Sequence, residues 1–523
     1  MRTRATTVLI QLGLVAVALV VLPYRIFELD RYFVPKELVL HVAAFVALIL
    51  VLARTRTHMV DVADALLAAF LAWSVVSALF ATNYWVAQRA VGLSVASAIV
   101  FWTTRRLGAQ GLYRPIIVSA GVAAVCAAIT ALAQAYGMDL DYFSRNRAPG
   151  GTFGNRNFVA HFCAIGLPSL VYTVVTARTP MGALIGATGF GVVATALVLS
   201  RSRAAWLAIA VSGAVMLLPL LASRPYWGTV RVGRALGRLA FAGVIGASAG
   251  MFLPNRLNWA SDSPYLDSAR GLVDYSSGSG RGRVTQYRNS LNMAFANPVF
   301  GVGPGNWPVR YVRFAKGNDP SLANDGMTAN PWPSSDWAAF VSERGVIAAF
   351  ALLGVFAVLF LGGIRRWSAL GTTEAVLAKL VLVGTITATM VVSAFDAALL
   401  LAAPAFLAWS VLGATSGVGR AGHEMRFTSG VWMAIVIVLL AVSGLSLARS
   451  VAQTVAILSV GNGGSRGGWL AASDFDPGSY RINIRVAQMY ADRGRCGQAR
   501  FYARRARGLF PSAPGPRAIL SRC

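Results

Sequence analysis

The chain has 523 residues, of which 56% are hydrophobic and only 13% charged, and its mean hydropathy is +0.60. A water-soluble chain of this length cannot cover itself with polar surface on that composition, which excludes the soluble globular classes. Lys and Arg number 47 against 20 acidic residues, a formal net charge of +27, but the arginines punctuate apolar runs and form no basic domain with aromatic platforms, which argues against nucleic acid. Short basic segments between apolar runs suit membrane lipids or phosphate-bearing ligands.

A membrane-spanning helix needs about 20 apolar residues. Windows of that kind lie near 7–23, 37–53, 60–80, 88–103, 114–136, 157–177, 182–200, 204–222, 235–253, 338–363, 374–394, 397–415 and 430–449. They predict an all-α fold, a polytopic transmembrane helical bundle of about 12–14 spans. The chain divides into transmembrane helices over 1–253, a large extramembrane loop over 254–336, further transmembrane helices over 337–450, and a linker with a small helical tail over 451–523. The first window follows Arg2 and Arg4 without a small-residue cleavage site, so it is expected to remain as an anchor.

Orientation follows from arginines in short loops, which stay on the cytoplasmic side. With the N-terminus inside, Arg54 and Arg56, Arg105, Arg106 and Arg114, Arg178, Arg224, Arg231 and Arg234, Arg365 and Arg366, and Arg420 and Arg426 all fall there. The segments 24–36 and 137–156, the turn at 200–203, the long loop and the tail then fall on the outer face.

Three outer-face segments carry more polar residues than a connector needs. Gly151-Thr152-Phe153-Gly154-Asn155-Arg156-Asn157 stands at the mouth of a span, where Asn155 and Asn157 could meet a ligand or simply cap the helix. Ser200-Arg201-Ser202-Arg203 is a very short turn with two arginines on the face where the positive-inside bias expects few. Guanidinium groups there could grip a diphosphate or snorkel to headgroups, and Arg203 is the one favoured for binding. In the long loop, Arg281, Arg283 and Arg288 gather at the start of a helical stretch, ahead of the turn Gly301-Val302-Gly303-Pro304-Gly305.

Beyond Gly461-Asn462-Gly463-Gly464, residues 478–510 hold two amphipathic helical stretches that resemble one tetratricopeptide-type pair. A single pair cannot bury a core alone, so it must pack on the membrane domain or on a partner such as an envelope protein, unless it is a loosely attached basic hairpin. Cys126 and Cys163 lie in apolar runs, and no CxxC metal motif occurs. Cys496 and Cys523 share the tail and could form one disulfide or stay two thiols.

The order GTFGNRN, then SRSRAAW between two helices, then a large loop with GRGRV and NPVFGVGPGNW, then SSDWAAFVSERG leading into a helix, resembles the O-antigen ligase and polymerase family of membrane glycosyltransferases over roughly residues 140–365. The resemblance implies a protein of the bacterial inner membrane, with the large loop and tail periplasmic. It implies transfer of a glycan from a polyprenyl-diphosphate carrier to an acceptor on a lipid, a glycan or a protein, with no metal and no cofactor. The family's arginines imply that Arg203 and Arg281, with Arg283 or Arg288, hold the diphosphate and stabilise the leaving group.

The family's usual His-Asn pair, nine residues ahead of the Glu of E-x-G, falls on Ser334-Ser335 when counted back from Glu343. His41, His58, His161 and His423 are all expected elsewhere in the topology. Asp336 is therefore the candidate for handling the acceptor hydroxyl's proton, or alternatively a helix cap, a part Ser335 could equally play. Glu343 is a candidate substrate-binding residue whose structural alternative is pairing with a loop arginine, and Asp396 is an acid between two apolar spans. A flippase and an envelope scaffold are the rival classes, although no internal symmetry of the transporter kind is visible.

Overall fold

The computed structural model describes residues 2–54, 57–144, 147–227, 232–259, 261, 263–271, 278–317, 319–323, 326–365, 367–420 and 422–523. Arg56, Arg231 and Arg366, among the loop arginines named above, lie outside the described residues.

Every apolar window coincides with one helix. In chain order these are α1 (Arg2–Leu19), α2 (Asp30–Ala47), α3 (Val62–Ala78), α4 (Tyr84–Ala109), α5 (Tyr113–Ala135), α6 (Arg156–Val175), α7 (Pro180–Ser200), α8 (Arg203–Ala222) and α9 (Val232–Phe252). The long loop contains α10 (Pro264–Arg270), α11 (Gly278–Ala296) and α12 (Trp307–Tyr311). The bundle resumes with α13 (Asp336–Ile364), α14 (Thr373–Phe395), α15 (Ala402–Gly417) and α16 (Ser429–Val460), and the tail holds α17 (Arg466–Phe475), α18 (Tyr480–Ala491), α19 (Cys496–Leu509) and α20 (Pro514–Arg522).

Among the described residues, 11 helices are long and apolar enough to cross a membrane. The two bundle helices that fall short are α3, with 17 residues, and α15, with 16. All of α15 is buried, so it is a core helix enclosed by the others. Helix starts follow their caps: Asp61 and Asp64 close a capping box on α3, and Asn83, Thr179, Thr372 and Thr428 each accept a first-turn amide of α4, α7, α14 and α16.

Lipid supplies no hydrophobic drive between helices, so close approach depends on small residues. Gly413 and Gly417 of α15 and Gly108 of α4 do this: a side chain on any of them would collide with Phe101 O, Arg105 O or Ala414 O on the facing helix.

The arginine-rich loops share one face. Two short strands, β1 (Thr57–Val60) and β2 (His423–Arg426), pair antiparallel with Thr57 opposite Arg426. Arg105 binds Asp61 and Asp64, and Arg420 binds Asp64. Arg114 reaches Glu374 and Thr176 O, each at 2.8 Å, and Thr373 donates to Tyr226 O at 3.1 Å. These contacts gather the loops after α2, α4, α6, α8, α13 and α15. The opposite face carries the linkers after α1 and α5, the long loop and the tail: Arg25 pairs with Asp141 at 2.5 Å, and Arg256 N donates to Ala135 O at 2.9 Å.

The glycine turn of the long loop clamps onto a break in α13. Gly345, at φ 79 and ψ 174, interrupts the helix, which exposes backbone groups to the turn. Val302 N donates to Ser342 O at 3.0 Å, Gly303 N to Glu343 O at 2.8 Å, and Val346 N to Pro298 O at 2.9 Å. Gly301 and Gly303 have positive φ of 64 and 93, values glycine adopts without strain. The loop has its own small core of Met293, Val302, Trp307 and Tyr311. Burial pushes the Tyr311 phenol up to about 12, so it stays protonated and donates to Asp319 Oδ2 at 2.8 Å.

The tail docks on the bundle. Trp469, Ile482, Val486 and Ala503 join Phe27, Val34, Ala456, Ile457 and Val460 in one core, so the helical stretches bury their apolar faces against α2 and α16. Cys496 and Cys523 form a disulfide between residues 27 apart in sequence. Helix α16 continues to Val460, so the expected boundary at 450 falls inside a continuous helix.

Candidate functional site

Asn155, in extended backbone, ends the 151–154 turn and starts α6: its Oδ1 accepts from Asn157 N at 3.0 Å. That capping bond, with Asn155 itself buried at 8% exposure, gives it the helix-cap role. Asn157, half-buried, remains on the first turn. Arg156 beside it stands 5.8 Å from the Trp259 ring.

The α7–α8 connection is as tight as two residues allow. Arg201 takes the left-handed conformation (φ 52) that stops α7, and Arg203 already begins α8. Arg201 Nε donates to Ser268 Oγ at 2.8 Å and its guanidinium lies 4.7 Å from Trp259, so the loop holds it. Burial lowers the Arg201 guanidinium from its ordinary value, against the opposing pull of Asp267. Arg203 donates to Gly271 O across the bare glycine. Arg147, Arg201 and Arg203 all act electrostatically on Arg156. The arginines of GTFGNRN and SRSRAAW, distant in sequence, therefore form one cationic patch.

Of the three arginines on α11, only one turns toward this patch. Arg281 and Arg288 are exposed and seven residues apart, hence on nearly the same side of the helix. Arg283 lies on the opposite, inward side with Gln286, Tyr287 and Ser290. The expected trio is thus divided between two sides of α11, with Arg283 inward and Arg281 and Arg288 exposed. Tyr287 Oη, 2.9 Å from both Ser334 O and Ala394 O, pins α11 to the ends of α13 and α14.

Asp336 is fully buried, and its carboxylate accepts from the backbone amides of Ala398, Leu399 and Leu400 at 2.9, 2.7 and 3.2 Å. Ser335, not Asp336, caps α13. A carboxylate so occupied ties α13 to the turn after α14, an anchoring role that competes with its expected catalytic one. Glu343 accepts from Gly305 N at 2.8 Å and Trp307 N at 3.1 Å. It holds the glycine turn through amides, where an ion pair with a loop arginine was expected.

A histidine does reach the site. His161 lies four residues after Asn157 on α6, is 1% exposed, and its Nε2 is 3.4 Å from Ser202 Oγ in the SRSR turn. Its Nδ1 has no hydrogen-bond partner. Arg283 and Asp396 are the charged groups that act on it. Asp396, half-buried in the turn after α14, accepts from Ala397 N through Oδ1 at 2.9 Å. The expectation that all four histidines lie elsewhere is thereby corrected. The signal was present: the i, i+4 step from Asn157 places His161 under the mouth of its span.

One region thus unites the starts of α6 and α8, the inward face of α11 and the turn after α14. Cations surround a buried imidazole and a half-exposed carboxylate. Such an arrangement can bind a multiply charged anion, since planar guanidiniums bind phosphate oxygens in pairs. It can also receive a proton near that anion. Among the described residues no cluster of His, Cys, Asp or Glu could hold a metal ion.

Residues 188–331 match a protein-family model described as O-Antigen ligase. The matched stretch runs from within α7, through SRSRAAW, to Pro331 of the long loop. It includes Arg201, Arg203 and Arg283, while His161, Asp336, Glu343 and Asp396 lie outside it. No curated protein matches the chain.

Proposed function

We propose that this chain, whose residues 188–331 match a family model described as O-Antigen ligase, transfers a glycan from a polyprenyl-diphosphate carrier to an acceptor hydroxyl. The observation that carries the reading is the convergence of Arg156, Arg201, Arg203 and Arg283 with His161 and Asp396 on the face opposite the arginine-rich loops. In the bacterial inner membrane this face would be periplasmic, by the positive-inside bias. The Cys496–Cys523 disulfide suits such an oxidising compartment.

The acceptor oxygen attacks the anomeric carbon as the bond from that carbon to the diphosphate oxygen breaks, and the diphosphate leaves with the electron pair. Negative charge grows on the leaving group, so fixed guanidiniums, Arg203 and Arg283 foremost, stabilise the transition state more than the ground state. The acceptor proton passes to the His161 and Asp396 pair, which takes the part expected of Asp336. Ligation to a lipid core, repeat-unit polymerisation and transfer to a protein hydroxyl share this chemistry and differ in acceptor.

The test is reconstitution of the full chain with a polyprenyl-diphosphate glycan and a glycan-free envelope extract as acceptor. Release of carrier diphosphate with glycan on a new acceptor is the expected result. Movement of intact donor across the bilayer without release would replace transfer by flipping.

A further inference from the structure

A cavity of about 310 Å³ lies on the same face, walled by the starts of α2 and α4, the loop with α13, the turn after α14, α16 and the tail. Its lining is chemically mixed. Four arginines (Arg89, Arg344, Arg449 and Arg481) face four carboxylates (Asp30, Glu37, Glu343 and Asp476), and Phe33, Trp332 and Tyr480 add aromatic surface.

The polar groups are held in place. Arg89 forms a bidentate pair with Glu37, both bonds at 2.8 Å. Arg344 is 1% exposed and donates to Ala90 O at 3.3 Å, leaving Nε and Nη1 without a partner. Gln453 donates to Asp476 at 3.3 Å, and its Oε1 is likewise unpartnered. The Arg344 guanidinium also lies 5.0 Å from the ring centroids of both Phe70 and Phe340, which fixes it in the cavity wall.

The lining discriminates between ligand classes. An acyl chain would leave eight charged groups desolvated against hydrocarbon, and a phosphate would meet as many carboxylates as guanidiniums. A sugar ring suits every feature. Its hydroxyls both donate and accept, matching a lining of both guanidinium and carboxylate groups, and its C–H face packs on aromatic rings. About 300 Å³ is the lower end of small-ligand sites.

The cavity also stands next to the proposed chemistry. Trp332 packs edge-on against Phe33 at 4.9 Å and against Phe158 at 6.0 Å, and Phe158 precedes His161 by three residues on α6. Leu399, Leu400 and Leu401 line the cavity from the turn that begins at Asp396.

We propose that this cavity is a sugar subsite for one or two rings of a glycan in the transfer reaction, closed on one side by the tail. The inference rests on the glycan-transferase reading and adds to it a place for the carbohydrate. The ring belongs to the donor glycan or to a glycan acceptor, and the test has an arm for each.

The full disulfide-bonded chain in detergent is titrated by equilibrium dialysis with two probes. One is the oligosaccharide freed by mild acid from the host cell's polyprenyl-diphosphate pool, and the other is the deacylated core oligosaccharide of its envelope glycolipid. Saturable binding of one probe is expected, weakened about tenfold by Trp332→Ala and by Tyr480→Ala, as loss of an aromatic face would do. Thr328→Trp, which fills the cavity without removing a wall, is expected to weaken it similarly and covers the case in which the truncations misfold. Glu424→Gln, exposed in β2 on the opposite face, serves as the unaffected control.

The subsite is refuted if neither probe binds at millimolar concentration, or if binding survives Thr328→Trp. Sugar-free polyprenyl phosphate displacing the probe would also refute it. The two readings fail separately. Transfer abolished by Arg203→Ala with no sugar binding removes the subsite and keeps the transferase. Sugar binding lost on filling the cavity, with full transfer by Arg203→Ala, removes the arginine-based mechanism and keeps the subsite.

Discussion

Arg203 and Arg283 are the two arginines whose positions set the proposed chemistry, and their neighbours on α11 provide the internal control. Arg203→Ala and Arg283→Ala are each expected to lower transfer by about 100-fold or more, since one preorganised donor to a developing anion is worth roughly 3 kcal/mol. Arg281→Ala and Arg288→Ala, on the exposed side of the same helix, should stay within a few-fold of the parent. Measuring carrier-diphosphate release for all four separates a specific grip from a general loss of positive charge. Equal losses would mean that net charge alone matters. For Asp336 the expectation concerns folding: three buried amides lose their acceptor in Asp336→Ala, at a cost of about 1–3 kcal/mol for each group left unsatisfied. Thermal unfolding in detergent should shift down strongly, and activity per folded molecule should change less. The reverse pattern would restore Asp336 as the base.

At the scale of elements, the break in α13 is the device that seats the long loop. Gly345→Ala would force a side chain into φ 79, costing about 1–3 kcal/mol in backbone strain, and would drive its Cβ into Val299 O. The glycine turn then cannot reach Ser342 O and Glu343 O, and with it goes the register of α11. Protease sensitivity within 278–336 is the measurement, and an unchanged digestion pattern would show that the loop docks by other means. The α4–α15 contact depends on absent side chains in another way. Gly413 and Gly417 let two backbones touch, and α15 is buried throughout because it is packed, not because it is long.

For the whole molecule, the two faces differ in what they carry, and this makes topology testable. Single cysteines at exposed Arg281 or Arg288 on the loop face should react with a membrane-impermeant maleimide in intact cells, and one at Glu424 of β2 should react only after lysis. Labelling in the opposite sense would invert the orientation and place the arginine patch in the cytoplasm. The tail is held by its apolar core with α2 and α16 and by the Cys496–Cys523 bridge. Closing a loop of 27 residues is worth about 3–4 kcal/mol on the chain-entropy model. Cys496→Ser with Cys523→Ser should therefore leave the bundle's unfolding unchanged while residues beyond 465 become susceptible to protease.

Composition and hydropathy alone determined the class and the helices: each apolar window became one helix, because a segment in lipid must satisfy its backbone internally and the α-helix does so. The loop arginines likewise sorted onto one face from the sequence alone. Side-chain roles were decided elsewhere. Asn155 and Asp336 are short acceptors next to unsatisfied amides, and only the fold shows which amides those are. Arg281 and Arg283 are two residues apart, yet the helical period sends one to solvent and the other to the site. His161 falls elsewhere in the topology predicted from sequence; its closeness to Ser202 and Asp396 arises where three helix ends meet. Periodicity and hydropathy are properties of neighbours in sequence, whereas a binding site is built from distant segments, and the packing that joins them is written only in three dimensions.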